Sequence, residues 1–191
     1  MKFKVFLIIV LSLFCLRGVS QEHFLPDSTI NGIFILSNPK SFLDFYKESS
    51  KTHLQDEISS YNPFGYSFIA FVNKDTSQYL ISFEFDGDVT NSYSAFEIGY
   101  VTTDFFRCID VFYVTEYRFF STESGIFLNM PSDQLLELKG KNCCIKNNNT
   151  INYYLDDNSL FCMRYKQYKY FLKCEVNNGK VSKINFGFIY P

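Results

Sequence analysis

Cysteine and histidine are the residue types in this chain with the most chemistry open to them. Downstream of residue 20 stand Cys108, Cys143, Cys144, Cys162 and Cys174, and the only imidazoles are His23 and His53. A thiol nucleophile needs a base within hydrogen-bond reach, and only His53 offers itself to Cys108 or Cys143. No supporting pattern surrounds either pairing, so the thiols read as structural or incidental. A zinc site would need paired CxxC spacing or more histidine, so no metal ligand is assigned. Asp86-Gly87-Asp88 and Asp156-Asp157 bring carboxylates together as a cation site or an acid–base pair would. Both stand between alternating apolar strands, where Asp and Gly serve as turn residues. The sequence has no glycine-rich phosphate loop and no GxSxG, so no catalytic and no cofactor-binding residue is assigned, and no cofactor is expected. Asn148-Asn149-Thr150 satisfies the glycosylation sequon.

The five thiols beyond residue 20 are odd in number, which leaves at least one free or paired between chains. Cys162 and Cys174 are spaced as partners across a hairpin. Phe161, Met163 and Tyr165 alternate on the first strand, and Tyr170, Leu172, Cys174 and Val176 on the second. With both apolar sets on one face, Met163 lies opposite Leu172 and Phe161 opposite Cys174, which sends Cys162 to the other face. Cys174 then reads as a small buried hydrophobe. The adjacent Cys143 and Cys144 could close only a strained ring.

Residues 1–20 carry the expectation of export. Lys2 and Lys4 open the chain, Val5 to Leu16 is an apolar run broken only by Ser12, and Gly18-Val19-Ser20 offers small residues for cleavage before Gln21. This is the pattern of a signal peptide, and the run falls short of the about 20 apolar residues a membrane span needs. Cys15 raises lipidation, but Phe14 is bulky where a small residue is wanted, which argues against a lipid anchor. The mature chain is therefore expected in the periplasm or outside the cell, with no membrane span. Removing residues 1–20 takes away Lys2, Lys4 and Arg17 and no acid, moving the formal charge from −2 to −5. Nucleic-acid binders show a basic face, and here the cations are scattered among acids, so no nucleic-acid partner is expected. Arg164, Lys166, Lys169 and Lys173 do interleave with Tyr165, Tyr168 and Tyr170. A strand pair with wet cationic side chains and a tyrosine-lined core accounts for that interleaving.

The elements that must position these groups are read from periodicity. Phe occurs 23 times and Tyr 14 times, with no Trp, a composition that favours sheet. Gly32-Ile33-Phe34-Ile35 returns as Gly125-Ile126-Phe127-Leu128, and Phe42-Leu43-Asp44-Phe45 as Leu135-Leu136-Glu137-Leu138. Tyr79, Ile81, Phe83 and Phe85 map onto Tyr170, Leu172, Cys174 and Val176, and Phe96, Ile98 and Tyr100 onto Phe186, Phe188 and Tyr190. Matches in constant order at nearly constant spacing suggest an internal repeat.

The fold class is accordingly α+β: a tandem pair of helix-then-antiparallel-sheet units, 21–120 and 121–191, with helices on one sheet face. Pro39 opens a helix capped by Ser37 or Asn38 and burying Phe42, Leu43 and Tyr46, and Leu54, Ile58 and Tyr61 continue at helical spacing. Ser132 caps the helix of the second unit, which Gly140 stops after Lys139. Strands are expected at about 66 to 73, 78 to 86, 93 to 101, 110 to 120, 151 to 155, 160 to 166, 169 to 177 and 181 to 190.

The segment from Thr122 to Ser132, with Gly125-Ile126-Phe127-Leu128-Asn129-Met130-Pro131 at its centre and Leu135, Leu136, Gly140 and Lys141 beyond, resembles the opening of SmpA/OmlA-like (beta-lactamase inhibitor protein-like) bacterial envelope domains. The resemblance covers chiefly residues 121–191, with a weaker echo over 30–101. It implies a helix pair on a small antiparallel sheet and a role in protein binding, not catalysis. Asn129 departs from the motif's glycine, a change the left-handed region tolerates, and Cys143 stands near the expected proline. The motif does not set that family's contact surfaces, so no binding residue is carried over.

Two functional expectations follow. One is an exported, non-catalytic envelope protein that binds a protein partner the sequence does not identify. The other is a hydrolase or small-ligand carrier with a pocket between the two sheets, lined by tyrosines and acids.

Overall fold

The computed structural model describes residues 24–37, 68–84, 93–109, 112–141, 144–147 and 149–189. Residues 1–20, the helices expected from Pro39 and around Leu54, Ile58 and Tyr61, the Asp86-Gly87-Asp88 turn, His23, His53, Cys143 and the sequon residue Asn148 lie outside them.

Within the described residues the chain is built mainly of strands. In order they are β1 (Thr29–Ile30), β2 (Phe34–Ile35), β3 (Phe68–Val72), β4 (Gln78–Glu84), β5 (Tyr93–Tyr100), β6 (Tyr113–Val114), β7 (Ile145–Asn147), β8 (Thr150–Asp156), β9 (Lys169–Asn177) and β10 (Lys180–Ile189). Three short helices interrupt them: α1 (Thr103–Cys108), α2 (Ser132–Lys139) and α3 (Leu160–Tyr165). β1 and β2 pair as a small hairpin, and the other strands form one sheet in the order β6-β3-β4-β5-β10-β9-β8-β7. Neighbours are antiparallel except β3 and β6, which run parallel. The β3-β4-β5 and β8-β9-β10 meanders meet where β5 pairs with β10.

Registers carry two rows, apolar but for Ser82, from β3 to β8 on one face of the sheet. Phe71, Leu80, Ile98, Ile184, Cys174 and Ile151 form the first, and Ile69, Ser82, Phe96, Phe186, Leu172 and Tyr153 the second. Over them lies a cover contributed by Phe24, by Ile30 and Phe34 of the small hairpin, by Phe120 through Met130, by Leu135 and Leu136 of α2, and by Cys162 of α3. The opposite face is apolar only toward one edge. There Phe68, Ala70, Val72 and Ile81 pack under Phe105 and Ile109 at α1, and the Tyr79 ring stacks on Phe105 at 4.8 Å.

This arrangement corrects the α+β expectation. The strands of both halves enter a single sheet, so separate helix-then-sheet units are not formed, and helices lie on both faces instead of one. The repeat alignment loses parity between β4 and β9, although Phe96 and Ile98 share the large core with Phe186 and Phe188. Tyr79, Ile81 and Phe83 belong to the α1 side, whereas Tyr170, Leu172 and Cys174 point into the large core on the other side. Strand side chains alternate with period two, so a match whose positions land on opposite faces does not describe one repeated packing unit.

Two expected strands are also replaced. Residues 160–165 are helical, because the Ser159 hydroxyl caps the turn by accepting from the Cys162 amide at 3.1 Å, and Lys166 ends it in the left-handed region (φ 55). Short apolar runs suit strand and helix alike, and capping decided this one. β9 therefore pairs with β8 and β10, with Cys174 opposite Ile151 and Ile184 instead of Phe161. Cys162 shares the large core with Cys174, and both thiols are free. In the 110–120 region only Tyr113–Val114 is strand among the described residues. α2 has the expected span, begins after Pro131 with no side-chain cap, and stops at Gly140, whose φ of 90 a residue with a Cβ adopts poorly. The β9–β10 turn, with Asn178 and Gly179 both at positive φ, is the two-residue hairpin that Asn-Gly encodes.

A rim cleft and its buried support

Among the described residues three polar constellations stand out, and one of them borders an open cleft. The first is sealed inside the core. Lys139, at the end of α2, places Nζ 2.7 Å from Asp27 Oδ2, with both side chains 1% exposed. The same ammonium donates to the Leu25 carbonyl. Asp27 Oδ1 accepts from the Ser124 amide at 2.7 Å, and the Asp27 amide donates to the Tyr170 hydroxyl at 3.0 Å. Each charge thus has an ion-pair partner and a further hydrogen bond, the condition under which a buried pair is tolerated, whereas removing one partner typically costs about 3–5 kcal/mol. Burial, followed by the Asp27 charge, pushes the Tyr170 phenol well above its usual range. Burial likewise pushes the Cys174 thiol up to about 12, with Asp27 adding to the rise and Lys139 opposing it. Raised pKa values keep both groups protonated, and the ion pair is buried. It clamps the N-terminal segment to α2 and β9.

The second constellation lies on the outer face of the sheet. Glu97 Oε1 accepts from the Tyr79 hydroxyl at 2.9 Å and pairs with Lys183 Nζ at 2.9 Å, while Oε2 accepts from Asn185 Nδ2 at 3.4 Å. Burial, followed by the Glu97 carboxylate, holds the Tyr79 phenol above its normal range, so it persists as a donor. These bonds span β4, β5 and β10 on the face that also packs against α1.

The third is a cleft of about 840 Å³ at the end of β8, within the range typical of ligand pockets. Phe24, Leu25 and Pro26, Tyr154 to Asp156, and Leu160, Phe161 and Arg164 of α3 line it. Leu25 is 80% and Leu160 83% exposed. Asp156 lies 4.0 Å from Lys169, whose ammonium also sits 5.0 Å from the Tyr154 ring centre. The Arg164 guanidinium lies 5.9 Å from the Tyr165 ring, and among the described residues no carboxylate pairs with it. The clamp supports this cleft directly, since Leu25 and Pro26 of its wall adjoin Asp27.

The sequence-derived candidates are dispersed. Asp156 ends β8 and Asp157 begins the turn after it, both exposed, and only Asp156 reaches the cleft. Of the cation–tyrosine cluster, Arg164 lines the cleft, Lys173 approaches Glu175 at 3.8 Å, Tyr168 is exposed and Tyr170 is core. The backbone of Cys108 ends α1, and Cys144 is half-buried with Sγ 3.2 Å from the Lys141 carbonyl. Among the described residues β3 to β10 share one sheet, and the cleft is lined by a strand end, a helix and the N-terminal segment, not by two packed sheets. Among the described residues no group of three or more His, Cys, Asp and Glu converges as metal ligands. Among them, too, no helix is long and apolar enough to cross a membrane. No signal in the sequence singles out Asp27 and Lys139, a pair joined only by the fold. No family model, curated protein or solved structure matches the chain.

Proposed function

We propose that the chain is an exported, non-catalytic protein that binds a protein partner, and that the cleft at β8 and α3 carries the contact. The observation that supports this most directly is the pair of largely exposed leucines, Leu25 and Leu160, that both line one cleft. Large apolar side chains around a concavity with a few polar groups are the anatomy of a recognition site. The thiols Cys162 and Cys174 are buried away from that surface, which favours binding over nucleophilic chemistry there. Export is supported by Lys2, Lys4, the Val5 to Leu16 run and Gly18-Val19-Ser20.

A photo-reactive residue at position 160, with one at the exposed strand residue Lys146 as control, tests the contact in cells of the source. A discrete protein adduct at 160 and none at 146, on chains whose mass begins at Gln21, is expected. No adduct at 160 under several salt conditions overturns the binding reading, and an intact Met1 overturns the export reading.

A further inference from the structure

Among the described residues, one charge lining the cleft has no opposite. Arg164 has its guanidinium near the Tyr165 ring, while the other lining charge, Asp156, already leans toward Lys169 at 4.0 Å. Arginine presents a planar fork of donors that suits carboxylate oxygens, and such charge-assisted bonds are the stronger class. Beside it runs an apolar wall of Phe24, Leu25, Leu160 and Phe161. A volume of about 840 Å³ exceeds what one side chain fills and suits a short extended segment. The wall is firm on both sides. The Phe24 ring packs 5.1 Å from Tyr153, Phe161 packs 5.1 Å from Tyr170, and the Asp27–Lys139 pair fixes the chain next to Leu25. A wall already ordered before binding loses less entropy when a ligand arrives.

We propose that this cleft takes an extended segment of a partner protein in which a bulky apolar side chain adjoins an acidic one, the apolar group lying against Leu25 and Leu160 and the carboxylate meeting Arg164. The assignment rests on the binding reading above and adds its chemistry: apolar contact supplies affinity, and Arg164 supplies the choice of an acidic neighbour.

The test uses the isotopically labelled chain and two blocked peptides, acetyl-Ser-Leu-Phe-Glu-Ser-amide and its Gln counterpart, followed by backbone amide shifts. Shifts confined to residues 24–26 and 154–164 are expected, with binding of the Glu peptide about tenfold tighter than the Gln peptide, a gap of about 1.4 kcal/mol. Arg164→Gln should erase that preference, while Leu160→Ala should weaken both peptides alike. Both side chains are exposed, so unchanged melting temperatures show that the variants fold. Equal affinity for the two peptides, shifts outside the cleft, or no shift at millimolar peptide overturns the assignment. Self-association that Leu160→Ala abolishes would seat a second copy of this chain in the cleft, and also overturns it. A partner cross-linked at position 160 together with indifference to the acidic peptide would leave the binding reading standing and this assignment fallen. The reverse pattern would separate them the other way.

Discussion

The Cys174 thiol shows how far the core reshapes a single side chain. An unfolded chain releases this proton near 9.0, while the folded chain holds it to about 12 because burial disfavours the thiolate. Between those values the unfolded state binds fewer protons than the native one, so stability falls as pH rises, by up to about 1.4 kcal/mol per pH unit for this group. Below 9.0 its contribution is fully present. Tyr170 and Tyr79, both raised above 10.0, act in the same direction further into the alkaline range. Urea unfolding at about pH 8 and about pH 10.5 should show a loss of stability that is smaller in Cys174→Ala than in the parent chain. An equal loss in both would mean that the thiol ionises alike whether folded or not. The same burial was legible in the sequence, where Cys174 fell on the apolar side of an alternating strand. Its neighbour Cys162 was misplaced because the alternation of Phe161, Met163 and Tyr165 mimicked a strand over a helix of six residues. Asp27 and Lys139 were invisible, since no local period ties an acid in an N-terminal segment to a lysine at a distant helix end.

Among the elements, β5 and β10 approach closely at a glycine. Gly187 lies opposite Ala95, and a Cβ added there would come within 2.4 Å of the Ala95 Cα and 2.5 Å of the Ser94 carbonyl oxygen. Backbone cannot step aside as a side chain can, so Gly187→Ala should cost about 1–3 kcal/mol, the usual range for overpacking. Chemical denaturation checks this, and a cost near zero would show that the two strands slide apart at no penalty. Gly99 differs in kind, because the Tyr79 ring covers it and that ring is a movable side chain. Strands β4, β5, β9 and β10 were readable from alternation, and the β9–β10 turn from Asn178-Gly179, because both signals are local. The parity of β4 was not. Its apolar residues alternate on the α1 side, yet Leu80 on the other side is buried too, and a strand covered on both faces gives no unique phase.

Across the whole molecule, one sheet joins what the sequence divided at residue 120. β5 and β10 share five paired positions from Gly99–Lys183 to Ala95–Gly187, and the apolar rows run through them without a break. Such continuity should make unfolding a single event, with far-ultraviolet dichroism and tyrosine absorbance tracing one transition. Two separated transitions would mean that the meanders melt independently. Local signals around Ser132 and Gly140 foretold the span of α2 but not its neighbours, because such signals fix a turn of chain and not the sheet against which it settles. The clamp at Asp27 also has a bearing on biosynthesis. Protein chains are made from the N-terminal end, yet Asp27 finds its hydrogen-bond partner on Tyr170, 143 positions later. The N-terminal segment, although Ser124 and Lys139 reach it earlier, therefore completes its contacts only when nearly the last strand has emerged. A nascent chain halted before Lys180 would hold β5 with no neighbour on its inner flank, a natural target for holding factors until synthesis is complete.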